Sequence, residues 1–433
     1  MHYLCAIWDG GGAVPPQLGA IRGLVRRGHT ATVLADPTLE AEVRAVGAEF
    51  RSWSRAPHRR SASDLVADDR GISNPSRLVR LLLDELVAGP AAAFAADVLE
   101  ADHDQRCDAV VAEMPLLGAL AAGRSLGRPT VALMTLCYAA PHPHMPPFGS
   151  GWGPGRGPFG RTRNRLGAAL AHRLWDRGVP ALDQARAGLG LGPVGSHLWD
   201  QLDELDRVLV LTAREFDLPC ESLPPNVRYV GPQLDDPGWA DRPVALPEGE
   251  EPLVVVSLSS TPMDQIDLFR RVLRGLLGLQ VRVVVTTGPA VDPADVVAGL
   301  DLSPAVSVVP SAPHAQLLPH ASAVVTHGGH GTVMKALAAN CPVVCMPLGR
   351  DQPDNAARLV TAGAGIRLRP SARPATIARA VRSVLDDPAY AAAAARLGAA
   401  VRAGAASGRV LDELESVARR APYPREAQEG GAR

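Results

Sequence analysis

Between Ala323 and Thr332 the chain reads Ala-Val-Val-Thr-His-Gly-Gly-His-Gly-Thr. A short apolar run, three glycines, and then Val333, Met334, Leu337 and Ala338 at helical spacing predict a strand, a tight turn and a helix. Gly328, Gly329 and Gly331 let the backbone approach a ligand closely. The first turn of the new helix presents unpaired N–H groups at the positive end of its dipole. That is chemistry for holding a phosphate. His327, at the strand end, can add a hydrogen bond or a positive charge to the same anion. Taken alone, GG-x-G is a weak signal, and an ordinary glycine turn with surface histidines reads the same way. A second run, Asp9-Gly10-Gly11-Gly12, suggests a dinucleotide site and an oxidoreductase. Pro15 stands three residues after Gly12, however, so the G-x-G-x-x-G fingerprint is absent. The cysteines show no CxxC spacing and read as small buried hydrophobes. No His/Asp/Glu cluster accompanies Gly329 to hold a metal beside the phosphate.

These residues need a scaffold, and the pattern around them alternates strand with helix. Tyr3–Trp8 reads as a buried strand. Pro15 and Pro16 open a helix with Leu18, Ile21, Leu24 and Val25 on one face, closed by Gly28. Further strands are predicted at 32–34, 109–111, 130–134, 208–211 and 227–230, with a helix at 116–126. The stretch from Pro141 to Arg165 is crowded with Pro and Gly and carries His142, His144, Phe148, Trp152 and Phe159. It reads as a long irregular lid. A polar Pro/Asp/Glu/Gly stretch at 235–250 reads as an interdomain linker. A second series of strands follows at 253–258, 281–285, 306–309, 323–325 and 343–346. The expected architecture is α/β: two Rossmann-like, doubly wound parallel-sheet domains, 1–234 and 251–420, with a flexible tail at 421–433. Ligands would bind at the carboxyl ends of the strands, across a shared cleft.

Composition narrows the function. The chain has 433 residues, 46% hydrophobic and 21% charged, with 44 basic against 45 acidic side chains. The apolar fraction excludes disorder, and the charge balance lacks the footprint of a nucleic-acid binder. No apolar run reaches the ~18 residues of a membrane span. The start lacks the basic segment of a signal peptide, so a cytoplasmic protein is expected.

The spacing Pro313-His314…Leu317-Leu318-Pro319…His327-Gly328-Gly329-His330-Gly331-Thr332…Ala336-Leu337…Pro342…Pro347…Asp351-Gln352…Asn355-Ala356…Arg358 closely resembles the donor-binding signature of family-one glycosyltransferases. These are GT-B enzymes that use nucleotide-diphosphate sugars, and the bacterial natural-product (macrolide-type) branch is the most similar. Gly11–Pro16 resembles the family's first acceptor-domain turn, and Tyr229-Val230-Gly231-Pro232 its approach to the linker. The resemblance implies that His327, Gly328, Gly329, Gly331 and Thr332 hold the donor diphosphate, with Ser259 and Asn355 as weaker contacts. It places the nucleoside at Ser311 and Ala312, and the sugar hydroxyls at Asp351 and Gln352. An exposed helix N-cap is the competing reading of Asp351.

Two departures stand out. Relatives carry a stacking Trp in a Trp-x-Pro-Gln motif, where this chain has Ser311-Ala312-Pro313-His314. The choice between UDP- and dTDP-sugars is therefore open. Relatives also place a His or Asp base where this chain has Ala13. Glu113 matches the family's supporting acid, and Asp9 faces the same cleft edge. Glu113 can instead cap the helix at Pro115, and Asp9 can cap its own turn. The base is then Glu113, Asp9, His142 or His144 from the lid, or none for an acidic phenol. The acceptor is expected near Gly12, Ala13, His142 and His144. The implied reaction is inverting and metal-independent, with the nucleotide-diphosphate sugar as co-substrate and a small natural product as acceptor. A non-catalytic auxiliary homologue, for which Ala13 argues, and a nucleotide-sugar 2-epimerase are the alternatives.

Overall fold

A computed structural model describes residues 1–61, 64–72, 74–220 and 222–420. The expected tail at 421–433 lies outside the described residues. The first sheet contains β1 (His2–Ala6), β2 (Thr30–Ala35), β3 (Glu49–Ser52), β4 (Ala109–Glu113), β5 (Thr130–Met134), β6 (Arg207–Val210) and β7 (Val227–Tyr229). All pairings are parallel, in the order β3-β2-β1-β4-β5-β6-β7. The second contains β8 (Leu253–Ser257), β9 (Arg282–Thr286), β10 (Val306–Val309), β11 (Ala323–Thr326), β12 (Val343–Cys345) and β13 (Gly365–Arg367). Its order, also parallel, is β10-β9-β8-β11-β12-β13. The central strands are apolar on both sides because helices cover both faces of each sheet.

This strand order places the chemistry. In each sheet the order reverses beside the first strand, at β1/β4 and at β8/β11. Loops leaving two such strands diverge to opposite faces and open a crevice. Ala6 pairs with Ala112, so the loop holding Asp9–Ala13 and the end of β4 holding Glu113 emerge side by side. Ser257 pairs with Thr326, and Thr326 with Cys345, so three loops of the second sheet emerge together.

Two differences from the sequence reading bear on the cleft. The stretch from Pro141 to Arg165 is irregular only to Arg156, where the helix Gly157–Trp175 begins. Pro158 occupies its first turn, which proline tolerates, so the Pro/Gly density marks a helix start and not a continuous loop. The loop before it is strapped to the second domain: Gly149 and Gly151 donate N–H groups to Asp354 at 2.6 and 2.7 Å, and Arg367 reaches the Gly151 carbonyl at 2.8 Å. The second feature is crossing of the domain halves. The helix Arg409–Ala418 returns to the first sheet, where Val410, Leu414 and Val417 share a core with Leu18, Ile21 and Leu24. In the other direction Ala213 and Phe216 enter the core of the second domain beside Met334 and Leu337.

Candidate active site

A cleft of about 540 Å³ runs between the carboxyl ends of the two sheets. On the second-domain side Gly328 adopts φ +95°, and a Cβ there would stand 2.5 Å from Cys345 Sγ, so only glycine lets the chain turn. A Cβ on Gly329 would stand 2.7 Å from His327 Nε2, so glycine also leaves room for that ring. The helix His330–Ala338 follows directly, with no side-chain cap at its start. Gly329, Gly331 and Thr332 line the cleft there, and Gly328 sits behind them. His327 is buried, with Nδ1 3.3 Å from Thr326 Oγ1. Burial, and then the Arg350 charge, push its pKa down to about 4. It is therefore neutral near pH 7, and what it offers an anion is a hydrogen bond and not a charge. The fixed cation nearby is Arg350, held at a left-handed φ of 58°. It forks onto Asp69 at 2.7 and 2.8 Å and reaches Thr261 Oγ1 at 3.3 Å.

Asp351 begins the helix Gln352–Ala362 without capping it by its side chain. Its Oδ2 accepts from Asn355 Nδ2 at 2.8 Å, and it faces the cleft. Burial raises its pKa against the opposing pull of His330 and Asn355. Gln352 spends its carbonyl oxygen on the N–H groups of Leu348 and Gly349, at 2.7 and 3.0 Å. Its Nε2 has a weak contact, Met263 Sδ at 3.4 Å, which leaves it able to donate to a hydroxyl. Ser259 lines the cleft, tied to Thr261 Oγ1 at 3.0 Å. Asn355 does not line it. Both of its amide hydrogens are engaged, to Asp351 and to the Gly328 carbonyl at 2.9 Å, so it positions the turn and the carboxylate without touching a ligand.

Ser311 and Ala312 line the cleft as well, and Ser311 Oγ donates to the Trp239 carbonyl at 3.2 Å. Trp239 is a linker residue, and its side chain lies in the same part of the cleft, 40% exposed. The linker is clamped on both sides of it. Asp235 pairs with Arg22 of the first domain, and Asp236 with Lys335 at 2.7 Å and the Ala315 N–H at 3.0 Å of the second.

Across the cleft, Glu113 ends β4 beside Gly12 and Ala13. Its Oε2 accepts from Gln17 Nε2 at 3.0 Å, and Gln17 also donates to the Ala13 carbonyl at 3.0 Å. Burial pushes the Glu113 pKa up to about 8, although hydrogen bonds from Gln17 and Trp8 oppose the rise. Asp9 has the opposite character. It is ion-paired with Arg59 at 2.7 Å and accepts from Thr38 Oγ1 at 2.9 Å and the Gly11 N–H at 3.2 Å. A carboxylate so committed shapes its turn, its oxygens already engaged by Arg59, Thr38 and Gly11. The remaining wall is apolar: Trp8, Leu82, Leu86, Phe148, Trp175 and Trp199.

The lid histidines are elsewhere. His142 and His144, expected at the acceptor, do not line the cleft. His142 Nδ1 lies 3.4 Å from Cys220 Sγ, its ring stands edge-on to Tyr138, and His144 packs on it at 5.4 Å. The strapped loop sends Phe148 into the cleft in their place. Residues that the sequence reading did not select include Arg350, Trp239 and His330. The His330 ring is buried and lines the cleft. Arg350 and His330 sit inside the quoted signature and were within reach of spacing. Trp239 carries no local signal.

Two parallel switch-point sheets face each other, one presenting an anion cradle and the other a shielded carboxylate in an apolar pocket. That is the arrangement of a GT-B glycosyltransferase. Residues 271–417 match the C-terminal domain of the erythromycin biosynthesis protein CIII-like family. The 4'-demethylrebeccamycin synthase of Lentzea aerocolonigenes is 30% identical over 414 residues, 91% of this chain and 94% of that protein. The O-mycaminosyltylonolide 6-deoxyallosyltransferase of Streptomyces fradiae is 35% identical over 176 residues, 39% of each chain. The crystal structure of the calicheamicin glycosyltransferase superposes with a TM-score of 0.74 at 26% identity, over 97% of this chain and 99% of its own. The chain belongs to the natural-product glycosyltransferase family, and it is a glycosyltransferase. No described helix is long and apolar enough to cross a membrane.

Proposed function

We propose that the protein, in the cytoplasm, moves a sugar from a UDP- or dTDP-sugar to a small, largely apolar natural product, with inversion and without a metal ion in the chemistry. The observation that carries the reading is the uncapped helix start at Gly329–Thr332 facing Glu113 across one cleft. The acceptor hydroxyl attacks the anomeric carbon from the first-domain side while Glu113 takes its proton. The bond to the diphosphate oxygen breaks on the opposite face. The negative charge that develops there is met by the helix N–H groups, His327 and Arg350. Asp351 and Gln352 orient the sugar, and Asn355 holds Asp351 in place.

A thermal-shift panel of nucleotides and sugar nucleotides tests the donor side, because a ligand bound only by the native state raises apparent stability. UDP or dTDP should stabilise the protein. His327→Ala should weaken that binding by about 1.5–3 kcal/mol, roughly ten- to 150-fold, the worth of a hydrogen bond to a charged group. Unchanged affinity in the variant would remove His327 from the diphosphate site.

Trp239 supplies the stacking surface that Ser311-Ala312-Pro313-His314 lacks. Its carbonyl accepts from Ser311 Oγ at 3.2 Å, and Trp239, Ser311 and Ala312 line the same cleft. A base stacked on an aromatic ring contributes about 1–3 kcal/mol. Trp239→Ala should therefore weaken UDP or dTDP binding roughly five- to 150-fold, with Trp239→Phe recovering part of it. Equal affinity in the two variants would mean that the base rests elsewhere.

A further inference from the structure

We propose that His172, Asp176 and His197 form a binding site for a divalent transition metal of the zinc type, behind the aromatic wall of the cleft. His172 and Asp176 stand one helical turn apart where the helix Gly157–Trp175 passes into the turn Asp176–Gly178. His197 precedes the short helix Leu198–Glu204. One ligand atom from each of the three lies within 4.8 Å of the others. The imidazoles are stacked, with centroids 3.8 Å apart and planes inclined by 32°.

Two observations mark this as more than a chance cluster. His172 Nδ1 is buried with no hydrogen-bond partner among the described residues, a cost that a coordinated cation would remove. The other groups are already oriented. Asp176 Oδ1 accepts the Leu198 backbone N–H at 3.0 Å, which turns Oδ2 toward His197 Nδ1 at 2.9 Å, and Asp200 accepts the His197 backbone N–H at 2.9 Å. Such supporting bonds are what fix metal ligands in place. Ligand atoms around a tetrahedral zinc stand roughly 3.3 Å apart, so the groups need draw in by at most about 1.5 Å. Two imidazoles and a carboxylate suit zinc, nickel or copper and not calcium or magnesium.

The position gives the site a role. Trp175 and Trp199 adjoin Asp176 and Leu198 in sequence, meet edge-to-face at 5.2 Å and line the cleft. A metal here staples two segments that carry that wall, and the transfer reaction does not pass through it.

The test uses the whole, tag-free protein, stripped with chelator and titrated with Zn2+ alone by calorimetry. Co2+ serves as a second probe through its visible absorption. One equivalent should bind, and the melting temperature should rise and fall again on chelation. His172→Ala should abolish binding. His197→Gln, at a half-exposed position where folding is less at risk, should weaken it at least about tenfold. Metal-free melting of both variants close to the parent would assign these losses to the ligands. No saturable binding, or binding that survives both substitutions, would overturn the site. Because nothing here reads turnover, this result and that of the donor panel stand independently.

Discussion

Glu113→Gln is expected to lower turnover roughly 10²–10⁴-fold while nucleotide binding stays unchanged. The carboxylate ends β4, lines the cleft beside Ala13 and is buried, with a pKa pushed up to about 8. A base of that strength takes a proton readily once ionised, so turnover should climb with pH toward about 8 and then level. The same shift has a consequence for stability. The folded carboxyl holds its proton more tightly than the unfolded one, whose pKa is near 4.5. Stability is therefore unaffected by this group at pH below the unfolded value. It declines as pH rises toward about 8 and is lowest beyond, by at most about 1.4 kcal/mol per pH unit crossed. Gln carries no such charge and can still accept from Gln17. The variant should then melt progressively higher than the parent as the buffer becomes alkaline. Turnover near the parent's would mean that the proton leaves by water or from an already ionised acceptor. Parallel melting curves at every pH would mean that the carboxylate is solvated.

Asp217→Ala is the substitution expected to cost most stability. Asp217 and Arg358 are both buried, and their contact at 2.7 Å joins the first domain to the helix Gln352–Ala362. Asp217 also accepts from Tyr229 Oη at 2.7 Å and from the N–H groups of Tyr138 at 2.9 Å and Leu218 at 2.7 Å. Removing it strands a buried guanidinium, a loss of about 3–5 kcal/mol, readable from urea unfolding. Arg358→Met on top of Asp217→Asn should return much of that, because no uncompensated charge is left. A loss under about 1 kcal/mol for Asp217→Ala would mean that water reaches Arg358.

Much of the fold was legible because most strands are buried on both faces and read as unbroken apolar runs. The run 130–134 matches the fully buried β5 residue for residue, and the valines of 306–309 announce β10 although it is a half-buried edge strand. Two of the four edge strands escaped. β3 is Glu-Phe-Arg-Ser and β13 is Gly-Ile-Arg, partly exposed segments with no apolar run to announce them. The helix Gly157–Trp175 was obscured by the glycines and prolines at its start. At the site, the family resemblance of the Pro310–Arg358 segment pointed to His327, Gly329, Gly331, Thr332, Asp351 and Gln352, all of which line the cleft. It could not distinguish Asn355, whose hydrogens are spent internally, from a ligand contact.

The sequence alone determined what depends on near neighbours in the chain. It determined the alternation of strand and helix, the glycine turn whose φ no other residue adopts easily, and the presence of a carboxyl group at the end of β4. Tertiary structure decided what depends on groups far apart in the chain. Arg59 and Thr38 commit Asp9 to its turn, while burial leaves Glu113 with a raised pKa; from the sequence both stood as candidate bases. The Asp354 contacts carry the loop to the second domain and leave His142 and His144 outside the cleft. The clamps on Asp235 and Asp236 bring Trp239 beside Ser311, some seventy residues away in the chain. Desolvation and pairing are sums over such contacts, and a single chain position does not record them.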